Sequence, residues 1–387
     1  MNKLDFSTIP NYSSRQMFLD PAGPVTVQRY EEYAFPKLAK FLETQKGAFW
    51  TPNEITLMKD QIDFKEASKS TRHIYTSNLL RQTTLDSIQG RSPAQIFTPV
   101  CSVPEVEALV QWWSSFEQIH SESYSHIIKN IYNVPVEQFN SIHSVPEIVN
   151  MASDIDKYYH DLHVVNSNLI TLEDFKSQIA KNPSLDPVLR SAVAHLEAAT
   201  TEHKHVKAVW LSLVASYGLE AIRFMVSFAT SLGMVENKIF IGSGNIISLI
   251  LQDETLHTKW TAYIINQLVK VDARFREVAE ELRSEALDML ISVIDEEKKW
   301  AKYLFKEGPM IGLNEQIMMD FVDHMAPLKL ADIGVKIPTR VKTTPLPWYN
   351  KHFNTNKKQA ALQETEAVSY VLSSMTASVN YDELPNI

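Results

Sequence analysis

Two pairs of side chains in this sequence combine a carboxylate with an imidazole at helical spacing. Glu117 precedes His120 by three residues, and Glu254 precedes His257 by the same interval. Residues three apart project from one face of an α-helix, so both members of a pair can reach the same metal ion. Apolar neighbours accompany each pair, which predicts a buried setting where an unpartnered carboxylate is unfavourable. Each pair is therefore a candidate metal-binding motif.

A third pair with this spacing, Glu202 and His205, has a different setting. It lies within Thr-Thr-Glu-His-Lys-His, so polar side chains surround it on every face of a helix. This composition is typical of a solvated surface. We expect both residues to be exposed and to take no part in metal binding.

Each candidate motif is preceded by a helix with one isolated carboxylate. Asp86 lies upstream of Glu117, and Glu220 lies upstream of Glu254, each among apolar residues. Taken singly, either carboxylate would be an ordinary salt-bridged core residue. Four helices that direct four carboxylates and two imidazoles inward form the ligand set of a di-iron or di-manganese centre in a ferritin-like bundle. Oxygen donors with two nitrogen donors suit iron or manganese.

One tyrosine shares the helix face of the first motif. Tyr124 follows His120 by four residues and Glu117 by seven, which places the phenol on the metal-facing side of the helix. An oxidising metal centre could remove an electron from it there. Apolar side chains at helical spacing on the facing helices would keep water from an oxidised phenol, although ordinary core residues give the same pattern. These side chains are Phe224, Phe228 and Ile250.

The elements that carry these residues are predicted to be helices. The sequence has only 10 glycines, and apolar residues recur at helical intervals over long stretches. No stretch indicates a β-sheet, so the predicted fold class is all-α, a ferritin-like helical bundle with a di-metal carboxylate centre. Polar composition with Pro183 and Pro187 predicts a variable connection with short helical pieces over 164–207. The predicted helices cover 29–45, 53–88, 103–132, 145–163, 186–231, 235–266, 271–305 and 313–327.

Changes in composition divide the chain into three parts. We expect an N-terminal arm over 1–28 and the helical domain over 29–340. Beyond this point Pro345 and Pro347 prevent a regular helix, and the last residues are polar, rich in Ser and Thr, and acidic near the end. An extended segment followed by a flexible C-terminal tail is therefore predicted over 341–387.

Charge and composition argue against several other functions. A net charge of −9 repels nucleic acid and anionic lipid. Gly242-Ser243-Gly244 lacks the third glycine of a dinucleotide-binding loop, and no other glycine-rich phosphate loop occurs. Cys101, the single cysteine, cannot supply a disulfide or a thiolate cluster, which favours a reducing compartment. Neither a signal peptide nor an apolar run of membrane-spanning length is evident. We expect a cytoplasmic protein, in the host cytoplasm if viral, with no nucleic-acid or membrane partner.

Several motifs occur together as they do in a known family. The sequence reads LDSIQGR at 85–91, EQIHSESY at 117–124, LEAIRF at 219–224 and DETLH at 253–257, followed by MIGLN at 310–314 and PLPW at 345–348. In this order the motifs resemble the small (beta) subunit of class I ribonucleotide reductase, of the tyrosyl-radical di-iron type. The similarity extends from near residue 30 to the C-terminus.

The resemblance implies a specific activity. The family's centre, with two Fe ions per chain and Mn as an alternative, uses O2 to oxidise a tyrosine, here Tyr124, to a stored radical. Long-range proton-coupled electron transfer passes the radical to the large (alpha) subunit, which reduces ribonucleotides to deoxyribonucleotides. The family forms homodimers and docks on the large subunit through the C-terminal tail. By position, the metal ligands would be Asp86, Glu117, His120, Glu220, Glu254 and His257.

The resemblance also implies an electron-transfer route. Trp50, in FWTP at 49–52, Asp253 and His120 match the family's internal route, and Asp253 would also support a ligand histidine. Tyr370, in ETEAVSY at 364–370, matches the tail tyrosine that relays the radical across the subunit interface. Three residues depart from common family patterns and could alter the metal surroundings and the radical lifetime. They are Glu122, Met225 and Gln252.

Two other classes of function remain open. Another ferritin-like di-metal oxidase or monooxygenase would need a substrate cavity and no tail tyrosine. An iron-storage or iron-binding protein would account for the carboxylates and histidines, but not for a chain of this length with an aromatic relay and a polar tail. A purely structural helical bundle explains the fewest of these features. Metal reconstitution with O2, followed by electron paramagnetic resonance, separates the alternatives.

Overall fold

The computed structural model describes residue 9 and residues 11–353, and within these residues the protein is helical. The β-type pairings found there are the isolated bridges Phe18–Cys101 and Met310–Leu313. The predicted all-α class is therefore confirmed. In chain order the α-helices are α1 (Pro36–Gly47), α2 (Met58–Glu66), α3 (Lys69–Gln89), α4 (Ser92–Phe97), α5 (Pro104–Ile131), α6 (Pro135–Ser141), α7 (Pro146–Lys181), α8 (Asp186–Ala199), α9 (Glu202–Gly218), α10 (Met225–Glu236), α11 (Ile241–Val271), α12 (Ala273–Glu281), α13 (Arg283–Leu304) and α14 (Glu315–Asp332).

The predicted helices are present with changed limits. The helix predicted over 103–132 is α5. The single helices predicted over 186–231 and 271–305 are wrong, since the first range contains α8, α9 and most of α10, and the second contains α12 and α13. The helix predicted over 53–88 is likewise divided, into α2 and α3. The division occurs because Ala67 and Ser68 adopt extended backbone. The Ser68 hydroxyl accepts the Thr71 N–H at 3.1 Å and so caps α3.

The prediction of a variable connection over 164–207 is wrong. α7 continues without interruption to Lys181, and α8 and the beginning of α9 fill most of the rest. The prolines stand where helices tolerate them: Pro183 follows the end of α7, and Pro187 lies in the first turn of α8. The polar composition reflects exposure rather than irregular structure, since α8 has no buried residue.

The prediction that Glu202 and His205 are both exposed is wrong for His205. Glu202 lies at the surface and pairs with Arg274 at 2.6 Å, but the His205 ring is buried. Its Nε2 lies 2.7 Å from the Asn166 side-chain oxygen. Because the Asn166 amide N–H donates to the Ile96 carbonyl, its oxygen must be the acceptor and the imidazole the donor. The two candidate metal-binding groups found among the described residues do not include His205.

This buried imidazole predicts a loss of stability in weak acid. Burial lowers the pKa of His205 to about 4 from 6.5. The folded state thus favours the neutral ring. The resulting contribution to the free energy of unfolding is complete above pH 6.5 and is lost as the pH falls toward 4. Between pH 7.5 and pH 5 the metal-free protein should lose about 1–2 kcal/mol more unfolding free energy than a His205→Gln variant. Urea unfolding measures both losses, and equal values would contradict the prediction.

The elements that carry the predicted metal ligands pack around one another. α3 lies against α5, and α11 contacts both α5 and the Leu219–Arg223 segment, which carries Glu220 and leads into α10. Large buried side chains fill the space between them, including Phe116, Tyr124, Phe224 and Phe228. The four ligand-bearing segments therefore surround one core.

A buried carboxylate fixes the beginning of α11. Asp60 on α2 accepts the backbone N–H of Gly242 at 3.0 Å and that of Ser243 at 2.6 Å. Gly242 is required because a Cβ at this position would lie 2.5 Å from the Thr56 carbonyl oxygen. The N–H groups that a phosphate-binding loop would offer are thus satisfied by the protein itself.

A π-helical segment, Leu219–Arg223, connects α9 to α10 and carries Glu220. Such segments are frequent at functional sites.

The stretch Glu202–Glu236 is long and apolar enough to cross a membrane by length and composition, contrary to the prediction that no segment would be. Its most apolar 18-residue window is 94% buried within the protein, as is usual for a core helix.

The described ends of the chain pack on the bundle. Near the N-terminus, the Leu19 N–H donates to the Val100 carbonyl at 2.9 Å. Near the other end Leu346 and Tyr349 are buried, and the Tyr349 ring meets Phe321 edge-on at 4.8 Å. Both segments therefore contribute to the core.

Residues 354–387, which include Tyr370, lie outside the described residues. The division into an arm over 1–28, a helical domain over 29–340 and a C-terminal segment over 341–387 stays a prediction.

Candidate metal centre

The six predicted metal ligands converge inside the bundle. Their side chains are buried, with at most 4% exposure. They form two overlapping groups. Within each group, one ligand atom from every residue lies within 4.8 Å of the others. The groups share Glu117 and Glu254, so these two carboxylates would be available to both ions of a metal pair. The first group is Asp86, Glu117, His120 and Glu254, and the second is Glu117, Glu220, Glu254 and His257.

The two shared carboxylates face both halves of the site. Glu117 places Oε2 3.5 Å from His120 Nδ1 and Oε1 2.9 Å from His257 Nδ1. Glu254 places Oε1 3.1 Å from His120 Nδ1 and Oε2 3.6 Å from His257 Nδ1. Each carboxylate therefore offers one oxygen to each imidazole, as bridging two ions requires.

The other two carboxylates belong to one half each. Asp86 Oδ2 lies 3.9 Å from His120 Nδ1, and Glu220 Oε1 lies 3.8 Å from His257 Nδ1. In both histidines Nδ1 is directed at the carboxylates. Each half of the site thus has one imidazole and one carboxylate of its own, in addition to the two shared carboxylates.

Many polar atoms of this cluster are buried without a hydrogen-bond partner among the described residues. Native proteins rarely leave several such atoms together, because an unpaired buried charge is strongly unfavourable. Bound cations would satisfy most of them, and carboxylate and imidazole donors suit iron and manganese. The residues therefore fit a pair of such ions. The unpartnered atoms are both oxygens of Asp86 and of Glu254, Glu117 Oε2, Glu220 Oε2, His120 Nδ1 and both ring nitrogens of His257.

Charges within the cluster shift the pKa values of its members. Burial and the neighbouring Glu117 raise the pKa of Asp86 well above its usual range, and burial with Glu254 does the same for the pKa of Glu220. Burial opposes charge on His257, but the neighbouring carboxylates of Glu117 and Glu254 raise its pKa to about 10. Without metal, protons thus balance the carboxylates, so metal binding at neutral pH must release protons.

Asp253 connects a ligand histidine to a tryptophan. Its Oδ2 atom accepts the Trp50 Nε1–H at 2.8 Å and lies 3.1 Å from His120 Nε2. This bond places a proton on Nε2 of His120 and leaves Nδ1 for a metal ion. The Trp50 and His120 rings lie within 25° of parallel, with their centroids 6.3 Å apart. The three residues predicted for the internal electron route are therefore adjacent.

Three residues that orient Glu220 are not predicted from the sequence. Glu220 Oε1 accepts the Trp113 Nε1–H at 2.6 Å and the Gln89 side-chain N–H at 2.7 Å. Gln89 in turn accepts the Tyr159 hydroxyl at 2.7 Å. These bonds hold one oxygen of Glu220 in place while the other stays available to a metal ion.

Helical spacing gives a signal for two of these residues. Trp113 lies four residues before Glu117, and Gln89 lies three residues after Asp86, so both share a helix face with a ligand. Tyr159 comes from α7, which carries no ligand, and no sequence pattern connects it to the site.

Tyr124 lies wholly inside the protein. Its side chain has no exposure, and its hydroxyl has no hydrogen-bond partner among the described residues. Burial, followed by the charges of Asp86 and Glu254, raises the pKa of Tyr124 well above its usual range. The phenol therefore keeps its O–H proton at neutral pH.

The three apolar residues predicted to shield the phenol are buried. Phe224 and Phe228 stack with their centroids 4.9 Å apart, and Ile250 has no exposure. The two phenylalanines border a small cavity whose lining includes Glu220 and Glu254. They thus lie beside the metal ligands, and their protective role stays a prediction.

The three departures from the family pattern lie in different surroundings. Glu122 is exposed and Gln252 is half-buried. Met225 is buried and lines the same cavity as Glu220 and Glu254. Met225 is therefore the departure best placed to affect the metal surroundings.

Known proteins share both the sequence and the fold of this chain. The family model for the ribonucleotide reductase small chain matches residues 29–338. The chain belongs to the ribonucleotide reductase small-chain family. Ribonucleoside-diphosphate reductase subunit beta of Buchnera aphidicola subsp. Acyrthosiphon pisum (strain APS) is 37% identical over 93% of each chain. Ribonucleoside-diphosphate reductase 1 subunit beta of Escherichia coli O157:H7 is 35% identical over 94% of this chain and 93% of its own. Ribonucleoside-diphosphate reductase subunit beta of Enterobacteria phage T4 is 33% identical over 91% of this chain and 90% of its own.

Solved structures of ribonucleotide reductase proteins have the same fold. The R2 subunit from Clostridium botulinum aligns with a TM-score of 0.69 at 19% identity, over 91% of this chain and 99% of its own. The dimanganese(II)-NrdF protein of Streptococcus sanguinis aligns with a TM-score of 0.66 at 18% identity, over 84% of this chain and 99% of its own. These identities establish the fold alone, and the ferritin-like bundle is confirmed.

In this ribonucleotide reductase small chain, loss of a shared carboxylate should empty the metal site. We expect Glu254→Ala to reduce bound iron from two ions per chain to one or fewer, because both metal positions lose an oxygen donor. The fold should persist, since the change removes one of several mutually repelling buried carboxylates. Metal analysis after Fe(II) loading and gel filtration measures the change.

Two variants complete that experiment. His120→Ala removes the imidazole of one half and should also leave well below two ions per chain. Glu122→Ala removes an exposed carboxylate from the same helix, α5, and should keep both ions. Two tightly bound ions in Glu254→Ala or His120→Ala would reject the site as described.

Proposed function

We propose that this chain is the radical-generating beta subunit of a ribonucleoside-diphosphate reductase, active together with a large subunit. The observation that carries the proposal is the buried Tyr124 phenol on the same helix as Glu117 and His120, beside two metal positions with shared carboxylates. When bound, the metal pair together with O2 supplies the one-electron oxidising power that Tyr124 requires. Membership in the small-chain family supports this assignment.

The proposed metal is iron, with two ions per chain, and manganese is the alternative. Carboxylate oxygens with imidazole nitrogens accept either ion. The solved Streptococcus sanguinis relative is described as a dimanganese(II) protein. The six proposed ligands are Asp86, Glu117, His120, Glu220, Glu254 and His257.

The residues around the ligands keep this geometry fixed before metal arrives. Asp253 holds His120 with Nδ1 toward the site, and Trp113 and Gln89 hold Glu220. Such supporting hydrogen bonds reduce the reorganisation needed when the ions bind. The proposed site therefore depends on residues that never touch a metal ion.

Tyr124 is the proposed radical site because its electron could be taken up by the oxidant named above, the metal pair with O2, and its proton by the neighbouring Asp86 carboxylate. Its pKa is raised, so the phenol does not ionise first. Its hydroxyl makes no hydrogen bond among the described residues, and no polar bond within the fold has to break. The apolar side chains of Phe224, Phe228 and Ile250 are proposed to exclude water and reductants from the oxidised ring.

We further propose that electrons leave and enter the site through Trp50, Asp253 and His120. Two hydrogen bonds to one carboxylate oxygen connect the indole to the ligand imidazole. A proton can move along the same contacts when the indole is oxidised, which keeps charge balanced in a buried region. Tyr370, outside the described residues, is the proposed relay to the large subunit.

The proposed assembly is a homodimer that docks on the large (alpha) subunit through the C-terminal tail. The proposed location is the cytoplasm, or the host cytoplasm for a viral protein. The net charge of −9 supports the absence of a nucleic-acid or anionic-membrane partner.

Metal reconstitution tests this function directly. The metal-free protein is loaded with Fe(II) or with Mn(II), exposed to O2, and studied by electron paramagnetic resonance with parallel metal analysis. We expect two ions per chain and a tyrosyl radical signal with at least one of the metals. Two bound ions with neither a radical nor ribonucleotide reduction in the presence of a large subunit would favour another di-metal oxidase.

A further inference from the structure

The backbone just after the π-helical segment is held by a buried side chain from another helix. The Val226 N–H, in the first turn of α10, donates to Glu297 Oε1 at 2.7 Å. Glu297 lies on α13 and has no exposure. A carboxylate at the beginning of a helix also interacts favourably with the helix dipole. This bond therefore fixes the point where the segment that carries Glu220 becomes α10.

The second oxygen of the same carboxylate reaches the helix that carries Asp86. Glu297 Oε2 accepts a hydrogen bond from Arg81 Nη2 of α3 at 2.5 Å. Arg81 is 1% exposed, and its guanidinium lies over the Trp300 ring, 4.7 Å from the centroid. Glu297 thus joins three elements: α3, α13 and the beginning of α10.

Neighbouring contacts hold the same turn. Trp300 Nε1–H donates to the Ser227 hydroxyl at 3.1 Å, and the Asn78 side chain donates to the Ser227 carbonyl at 3.3 Å. On the π-helical segment itself, Arg223 pairs with Glu296 at 2.8 Å. α3 and α13 therefore hold the turn on both sides of the position where Glu297 acts.

The buried pair is a poor source of stability. Burial raises the pKa of Glu297 to about 7, although Arg81 and the Val226 N–H oppose the shift. Buried ion pairs can often be replaced by apolar residues without loss of stability, whereas removing one partner alone is damaging. A role in specifying one backbone arrangement accounts better for this carboxylate.

We propose that Glu297 is a positioning residue for Glu220. By accepting the Val226 N–H it sets the register in which the π-helical segment passes into α10, and so keeps the Glu220 carboxylate in the metal site. The inference deepens the proposed function and rests on it.

A matched pair of double variants tests the proposal. Arg81→Met/Glu297→Gln and Arg81→Met/Glu297→Leu both remove the buried charges, but Gln keeps an oxygen that can accept the Val226 N–H and Leu does not. We expect the Leu variant to unfold at a slightly lower temperature than the Gln variant, because its buried Val226 N–H has no acceptor. The Leu variant should bind the weaker of two Co(II) ions about 10- to 100-fold less tightly, and the Gln variant should bind it with wild-type affinity.

Co(II) titration followed by the visible absorption of the bound ion measures both affinities, and circular dichroism measures the unfolding temperatures. A solely stabilising role predicts that Co(II) affinity follows the unfolding temperature in every variant, so that a control with an equal loss of unfolding temperature would lose equal affinity. Trp300→Phe is the control, because it removes the bond to Ser227 and leaves the Val226 N–H bond; it should keep wild-type Co(II) affinity. Wild-type affinity in the Leu variant would overturn the proposal.

Two further measurements apply if the Leu variant does not fold. Glu297→Asp keeps a charge for Arg81 but shortens the side chain away from Val226, and it should weaken Co(II) binding similarly. In the unaltered metal-free protein, the Val226 amide should exchange hydrogen slowly. Exchange as fast as that of exposed amides, or wild-type affinity in Glu297→Asp, would overturn the proposal. Failure of the unaltered protein to bind two Co(II) ions would instead reject the proposed function.

Discussion

Replacement of Tyr124 by Phe is expected to abolish the radical signal while leaving the fold and the metal content unchanged. The substitution removes one hydroxyl and hardly changes the volume of the ring. That hydroxyl has no hydrogen-bond partner among the described residues, so no bond within the fold is lost. A phenylalanine ring is much harder to oxidise than a phenol. Electron paramagnetic resonance after Fe(II) and O2 treatment, with metal analysis and thermal unfolding, measures all three properties.

A second buried tyrosine provides the control for this experiment. Tyr75 is 3% exposed and hydrogen-bonds to Ser243, away from the six ligands. Tyr75→Phe should retain the radical at wild-type intensity. An undiminished radical in Tyr124→Phe, with two ions bound, would show that another side chain is oxidised.

Deletion of 360–387 is expected to preserve the Tyr124 radical and to eliminate association with the large subunit. The family resemblance assigns docking to this segment, and half of its 28 residues are apolar, which gives a partner apolar side chains to bind. The metal ligands all lie in the helical bundle and should be unaffected. Gel filtration with the large subunit measures association, and electron paramagnetic resonance measures the radical.

Tyr370→Phe separates docking from electron relay. The variant should associate normally, because the ring keeps its contact area, but nucleotide reduction should fall to background since Phe cannot carry the radical. Tyr381→Phe changes the other tyrosine of the same segment and should leave turnover intact. Normal turnover in the truncated protein would mean that the tail is incidental, and normal turnover in Tyr370→Phe would exclude this residue as the relay.

The sequence was sufficient to predict the identity of the candidate ligands. Glu-x-x-His fixes two donors on one helix face whatever the rest of the fold does, because the helical repeat alone aligns them. The isolated carboxylates Asp86 and Glu220 stand out because an ionised group in an apolar helix needs a partner. Local geometry and the cost of burying charge were therefore enough to predict the candidate ligand set, the all-α class and the position of Tyr124 on the face that carries Glu117 and His120.

Local patterns failed where exposure or backbone detail depends on distant residues. His205 has polar neighbours in sequence, yet Asn166 from α7 buries it and satisfies its N–H. The prolines of 164–207 suggested irregular structure, although they stand at helix boundaries. The division between α2 and α3 likewise depends on the cap formed by Ser68.

Only the tertiary structure decided how the donors face one another. The sequence cannot show that Glu117 and Glu254 each offer one oxygen to His120 and the other to His257, since this requires α5 and α11 to pack at one particular rotation. It also cannot show which nitrogen of His120 is left for metal, because Asp253 on another helix decides the tautomer. The sequence by itself thus determined which groups are available, through spacing along single helices. Packing between helices determined their orientation, because hydrogen bonds and shared carboxylates join atoms that are distant in the chain.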